Sequence, residues 1–189
     1  VPIVCMTYYN LLLQYGDGDE VDAFVEAAAE AGVSGLIIPD LPVEESAELE
    51  AACEAHDVAL IFIVAPTTTP ERVKRILERA SGFVYVQARM GTTGARTDVS
   101  EDTYESLERL PEGDLPYAVG FGVSEREHAK AIVEGGADGV VAGSVFVDAI
   151  AEAESVEAAA DALREKAAEL SAGIEDATRG EAPEPETTK

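Results

Sequence analysis

Gly120–Ser144 reads GFGVSEREHAKAIVEGGADGVVAGS, and the order of its parts decides the fold. Gly120-Phe121-Gly122 closes one apolar run, Ser124–Gly136 has a helical pattern, and Gly143-Ser144 closes a second apolar run, Gly139–Ala142. The order is strand, glycine loop, helix, strand, glycine-serine loop, helix. Glycines at two successive strand ends let backbone N–H groups approach a small anion closely, and the helix N-termini that follow add positive dipole. Loops after the last two strands of a (β/α)8 barrel form a recurrent phosphate site. The stretch predicts a phosphate-binding barrel, with Gly120, Gly122, Gly143 and Ser144 as anion contacts.

Working outward, six short runs rich in Val, Ile, Leu, Phe and Tyr punctuate the chain: Val1–Tyr8, Gly35–Pro39, Ala59–Ala65, Phe83–Ala88, Tyr117–Phe121 and Gly139–Ala142. Near-continuous hydrophobicity suits parallel strands buried on both faces. Helical patterns fill the intervals: Asp19–Ala31, Glu44–His56, Pro70–Ala80, Glu101–Leu110 and Glu125–Glu134, then Val145–Ala151 and Val156–Leu170. Thr69-Pro70 is an N-cap with proline at the first helical position, Ser124 with Glu127 reads as a capping box, and Ser155 caps the last helix. Repeated βα units imply a parallel α/β sheet, which an open doubly wound sheet and a closed barrel both satisfy. Dinucleotide binding wants G-x-G-x-x-G after the first strand, whereas Asn10–Gly16 follows here. The expected organisation is one partial barrel domain, residues 1–170, with about six parallel strands and outer helices. Residues 171–189, rich in Glu, Pro, Thr, Ala and Gly, are expected to be a disordered acidic tail.

Charge narrows the setting. Thirty-eight acidic residues face 13 basic ones, a formal net charge of −25, which predicts a surface adapted to a high-salt cytoplasm. No basic stripe exists to neutralise phosphates, so nucleic acid and anionic membrane are excluded as partners. No apolar run approaches the ~20 residues of a membrane span, and no signal-peptide pattern opens the chain. Cys5 and Cys53 lie far apart without metal-ligand or redox spacing, which predicts two reduced, packed thiols and no metal site. His56 and His128 fall within helical patterns and are expected to be solvated on the outer ring.

The motifs carry a resemblance over roughly residues 1 to 150. Met6-Thr7-Tyr8-Tyr9-Asn10, Ile38-Pro39-Asp40-Leu41-Pro42-Val43-Glu44-Glu45-Ser46, Ala65-Pro66-Thr67-Thr68 and Gly82-Phe83-Val84-Tyr85 come in order, followed by Gly91-Thr92-Thr93-Gly94-Ala95. Gly120-Phe121-Gly122-Val123-Ser124 and Ala137–Ser144 complete the set. Together they resemble the tryptophan synthase alpha-subunit family, from its third barrel strand onward. That resemblance implies a (β/α)8 barrel that cleaves indole-3-glycerol phosphate to indole and glyceraldehyde 3-phosphate by a retro-aldol reaction. It implies a beta-subunit partner holding pyridoxal phosphate, and no cofactor in this chain.

The family's catalytic glutamate and aspartate fall in the second strand and the loop after it, outside the matching segments. The chain as given is therefore expected to lack the acid and base, and to turn over poorly. By the same resemblance Tyr85 and Thr93 support catalysis, Tyr8 and Phe121 border the indole, and Gly94 joins Gly120, Gly122, Gly143 and Ser144 on the phosphate. Arg89–Val99 would then form a lid. Asn10, Asp40 and Pro42 match the region that meets the beta subunit. Read from its position alone, Asp40, at the C-terminal end of a strand, is also a general-base candidate. Two other readings stand beside this one: a non-catalytic partial barrel that modulates a beta subunit, and another phosphate-binding barrel isomerase.

Overall fold

The computed structural model describes residues 1–16, 21–87, 107–111, 113–120 and 122–177, and its backbone divides into two compact units. The first comprises Val1–Val86 with Glu112–Tyr117, the second Gln87–Pro111 with Ala118–Lys189.

In the first unit, strands β1 (Ile3–Met6), β2 (Val33–Ile37) and β3 (Ala59–Ile61) form a parallel sheet in that order. Register runs Met6↔Ile37 and Ile37↔Ile61. Between them lie helices α1 (Tyr9–Leu13), α2 (Val21–Glu30) and α3 (Ala47–Ala55). The apolar run Ala59–Ala65 is not one strand. It breaks at Phe62, so that β3 pairs with β2 while β4 (Ile63–Val64) pairs with β5 (Val84–Gln87). Phe62 keeps its carbonyl satisfied by accepting from Tyr85 N–H at 3.0 Å.

The expected Glu44–His56 helix also divides, into a 3-10 turn at Val43–Glu45 and then α3. Ser46, fully buried, causes the break. Its hydroxyl donates to Val43 O at 2.8 Å and bonds the Glu50 carboxylate. Arg79 donates to Val43 O at 2.8 Å and to Glu50 at 3.3 Å, tying the turn to α4 (Pro70–Arg79). At the start of α4 the expected cap is present, since Thr69 Oγ1 accepts from Arg72 N–H. Val73 and Ile76 are its buried face.

Burial on both faces describes β2, where Gly35, Leu36 and Ile37 are all buried, but not β1. Ile3 is 55% and Met6 54% exposed, because among the described residues β1 has β2 as its only sheet neighbour. Such an edge lacks the cover that a parallel strand ordinarily has on each side.

Both cysteines are free, Cys5 half-buried and Cys53 buried. Burial, with Glu50 adding to it, pushes the Cys53 thiol up to about 12. At pH 8 only about one part in 10⁴ of it would then be thiolate, the form that reacts. Iodoacetamide applied to the folded protein at pH 8 is therefore expected to label Cys5 and spare Cys53 until denaturant is added. Peptide mass mapping checks this; equal labelling of both would show that Cys53 is not shielded.

The second unit takes β6 (Tyr117–Gly120) from Ala118 onward, then α5 (Arg126–Glu134), β7 (Gly139–Val141), α6 (Ser144–Glu152) and α7 (Val156–Asp176). Strands β6 and β7 are parallel, with Ala118↔Gly139 and Gly120↔Val141. Ser155 caps α7 as expected, its hydroxyl accepting from Ala158 N–H at 3.1 Å.

The tail boundary at Ser171 needs correcting, because α7 is helical through Asp176. Leu170 and Gly173 are buried, and an added Cβ at Gly173 would stand 2.3 Å from Arg126 O of α5. Arg126 also pairs with Asp176 and donates its N–H to Glu169, which Lys166 bonds at 2.6 Å. Hydrogen bonding lowers the pKa of Asp176 through Arg126, and that of Glu169 mainly through Lys166. The stability these pairs contribute is therefore fully present at pH above the ordinary carboxylate pKa, and is lost as pH falls below it and through the lowered values. No helix among the described residues is long and apolar enough to cross a membrane.

Candidate functional site

Four of the expected anion contacts lie in the second unit, and the register of β6 and β7 brings them together. Gly120 and Val141 are paired across the two strands, so Gly122 and Gly143 each stand two residues beyond the last rung. Adjacent strands are ~4.8 Å apart, a gap that one tetrahedral anion spans with N–H···O bonds of ~2.9 Å. Gly120 is buried as the end of β6, whereas Gly122, Gly143 and Ser144 are exposed. Gly122 has φ +84°, a left-handed turn that other residues rarely adopt.

Gly143 is the N-cap of α6 and makes no side-chain cap. Its carbonyl accepts from Phe146 N–H at 2.9 Å and Val147 N–H at 3.3 Å. The N–H groups of Ser144 and Val145, at the positive end of a nine-residue helix, have no helical acceptor before them. A Cβ built on Gly143 would meet nothing within 4 Å. Gly143 and Ser144 are thus exposed, with open space where a side chain on Gly143 would stand.

The loop entering α5 differs from the expected capping box. Glu125, not Ser124, is the N-cap, and the side chain that reaches back is His128, not Glu127. His128 is 4% exposed, so the expectation of a solvated histidine was wrong. Its periodicity held the signal: His128 stands four residues before Ile132 and beside Ala129, both fully buried, on the apolar stripe of α5. His56 is likewise not free in solvent but half-buried, with Nε2 3.1 Å from Asp22.

In the first unit Tyr8 is 60% exposed and forms the N-cap of α1, its carbonyl accepting from Leu11 N–H. Asp40 accepts from Tyr9 N–H at 2.9 Å, which ties the loop after β2 to the start of α1, where Tyr8 and Asn10 flank Tyr9 in the chain. Pro42 follows at the edge of a cavity of about 160 Å³ lined by Ile38, Leu41, Phe62 and Arg72 among others. The Asp40 carboxylate thus has a structural task at the start of α1. Tyr85 lies within β5, and burial raises its phenol above the ordinary range. Thr93, Gly94 and Phe121, with the Arg89–Val99 segment, lie outside the described residues. Among the described residues no cluster of His, Cys, Asp and Glu is arranged to hold a metal.

The family model for the tryptophan synthase alpha chain matches residues 1–175. A tryptophan synthase alpha chain of Halobacterium salinarum is 56% identical over 98% of this chain and 67% of its own length. One from Haloferax volcanii is 51% identical over 100% of this chain and 69% of its own. Among solved structures, the tryptophan synthase α2β2 complex of Pyrococcus furiosus matches with a TM-score of 0.78 and 38% identity, over 89% of this chain and 66% of that one. A Mycobacterium tuberculosis tryptophan synthase matches at 0.77 and 41%, over 92% and 62%. The chain spans about two thirds of the length of these relatives. Its parallel strands and intervening helices are the corresponding part of their (β/α)8 barrel. On this sequence and structural likeness, the chain belongs to the tryptophan synthase alpha chain family.

Proposed function

We propose that this chain serves the alpha reaction of tryptophan biosynthesis, the retro-aldol cleavage of indole-3-glycerol phosphate to indole and glyceraldehyde 3-phosphate, in the cytoplasm. The observation that carries this is the pair of glycine loops leaving β6 and β7 in step, in a chain of this family. The reaction protonates the indole carbon that bears the side chain and removes the proton from the hydroxyl of the breaking C–C bond. What these residues contribute is substrate placement: amides of the Gly122 and Gly143-Ser144 loops on the phosphate, with the Ser144 hydroxyl added. Tyr8, Tyr85 and Phe121 are assigned to the indole and its surroundings, and Thr93 and Gly94 to closure over it. Asn10, Asp40 and Pro42 are assigned to the contact with a beta subunit. The α2β2 assembly of the Pyrococcus furiosus relative supports that partner. Pyridoxal phosphate belongs, in this reading, to the beta subunit, and this chain needs no cofactor.

The test compares two variants by phosphate titration calorimetry. Gly143→Val is expected to abolish phosphate binding, because its side chain enters the open space where the anion meets the amides. A Cβ there has no described atom beyond its chain neighbours within 4 Å, so the fold is expected to stay intact, which a thermal melt checks. Ser144→Ala is expected to weaken binding by only about 0.5–1.5 kcal/mol, one hydroxyl hydrogen bond. If Ser144→Ala proves the worse of the two, the backbone cradle is wrong and the glycines are turn formers.

A further inference from the structure

His128 is buried at the third position of α5, yet the polar contacts of its ring are all to one residue outside the helix. Ser124 N–H donates to Nδ1 at 3.3 Å, and the Ser124 hydroxyl lies 3.4 Å from the same nitrogen. A ring nitrogen that accepts from an amide carries no proton, so this contact calls for the tautomer with its hydrogen on Nε2. Nε2 is buried with no partner among the described residues. A buried N–H left unpaired is costly, and the contact with Ser124 is kept despite that cost.

Ser124 is held from its other side too. Lys166 of α7 donates to Ser124 O at 3.3 Å while bonding Glu169. Just before it Val123 is 1% exposed, a side chain locked into the core. One residue earlier stands Gly122, exposed, at φ +84°. The chain therefore passes from an anchored segment straight into the glycine turn, whose amide direction depends on how firmly Ser124 is held.

We infer that His128 is a positioning residue for the oxyanion loop. Its ring, accepting from Ser124 N–H while Lys166 donates to Ser124 O, pre-orients the Gly122 turn toward the phosphate of the substrate. The inference rests on the anion site proposed above. Its energetic logic is preorganisation, since a loop already ordered loses less freedom on binding. His128 touches no substrate and acts only through the loop.

Two variants and one spectrum test it on the full chain in molar potassium chloride. His128→Asn places a side-chain oxygen near the position of Nδ1, and His128→Leu keeps bulk but removes the acceptor. Sulfate, a dianion across the neutral range, is the probe, with inorganic phosphate beside it. His128→Leu is expected to weaken sulfate binding about tenfold and His128→Asn by less than about threefold, at similar melting temperatures. Equal weakening in both, or none in the leucine variant, overturns the proposal. Long-range ¹H–¹⁵N spectra of the wild type should show Nδ1 unprotonated and Nε2 protonated; the opposite tautomer also overturns it. If the wild type binds neither sulfate nor phosphate, the anion reading fails, and so does a positioning role toward it. The hold on Ser124 is then still decided separately, by its amide exchange, expected about tenfold faster in His128→Leu than in wild type. Should the leucine variant not fold, the tautomer and the asparagine variant decide.

Discussion

Gly173→Ala should lower the melting temperature by about 6–12 °C. Alanine in a helix interior is ordinarily ~1 kcal/mol better than glycine, so propensity alone predicts the opposite sign. Packing reverses it. The new Cβ would lie 2.3 Å from Arg126 O and 3.2 Å from Ala129 Cβ, and the first of these is backbone at the start of α5, which cannot rotate away. Helix α7 would have to lift from α5, and overpacking of this kind costs typically 1–3 kcal/mol. A backbone clash belongs at the upper end, and each kcal/mol moves a chain of this size by ~2–4 °C. Lifting α7 would also strain the Arg126–Asp176 pair and the Arg126 N–H to Glu169 bond. Gly139→Ala is the control, since a Cβ there meets nothing within 4 Å, and it should stay within about 0.5 kcal/mol of wild type. A melting temperature raised by Gly173→Ala would show that α7 is not seated on α5 through this glycine.

Melting temperature should rise by about 6–12 °C between dilute buffer and 2–3 M potassium chloride. Two effects of salt oppose each other. Screening weakens the surface ion pairs, such as Arg72 and Arg75 with Glu44, Lys130 with Glu134, and Arg164 with Asp161. Exposed pairs contribute only ~0–1 kcal/mol each, so that loss is small. Screening also relieves the repulsion of a chain carrying 38 acids against 13 bases, where most acids have no cation to meet. With a Debye length of ~3 Å at 1 M, repulsion between neighbouring carboxylates largely vanishes. The second effect is the larger, and ~3 kcal/mol of relief corresponds to roughly 6–12 °C. The similarity to the Halobacterium salinarum and Haloferax volcanii proteins accords with that sign. A thermal melt followed by circular dichroism at graded salt decides; a flat profile would reject the high-salt reading.

The glycine turns after β6 and β7 were legible because their signals are local. A glycine at φ +84° and a Gly-Ser step into a helix are read from turn chemistry, and the strand order around them from runs of apolar residues. The Thr69 and Ser155 caps were legible for the same reason, since donor and acceptor lie within one turn. His128 was not, although its stripe with Ile132 was present in the sequence. A polar residue on an apolar face is solvated or buried according to what covers it, and here α7 packs across α5.

The sequence by itself determined the βα order, the two glycine loops, the acidic surface and the family, all of which depend on residue type and near-neighbour spacing. Only the tertiary structure decided where Ala59–Ala65 breaks, which histidine is buried, and that α7 continues to Asp176. The physical reason is common to these. Phe62 breaks a run because its two halves pair with different strands, and Gly173 stays helical because a backbone distant in the chain lies against it. Such choices are made by surfaces that meet only after folding.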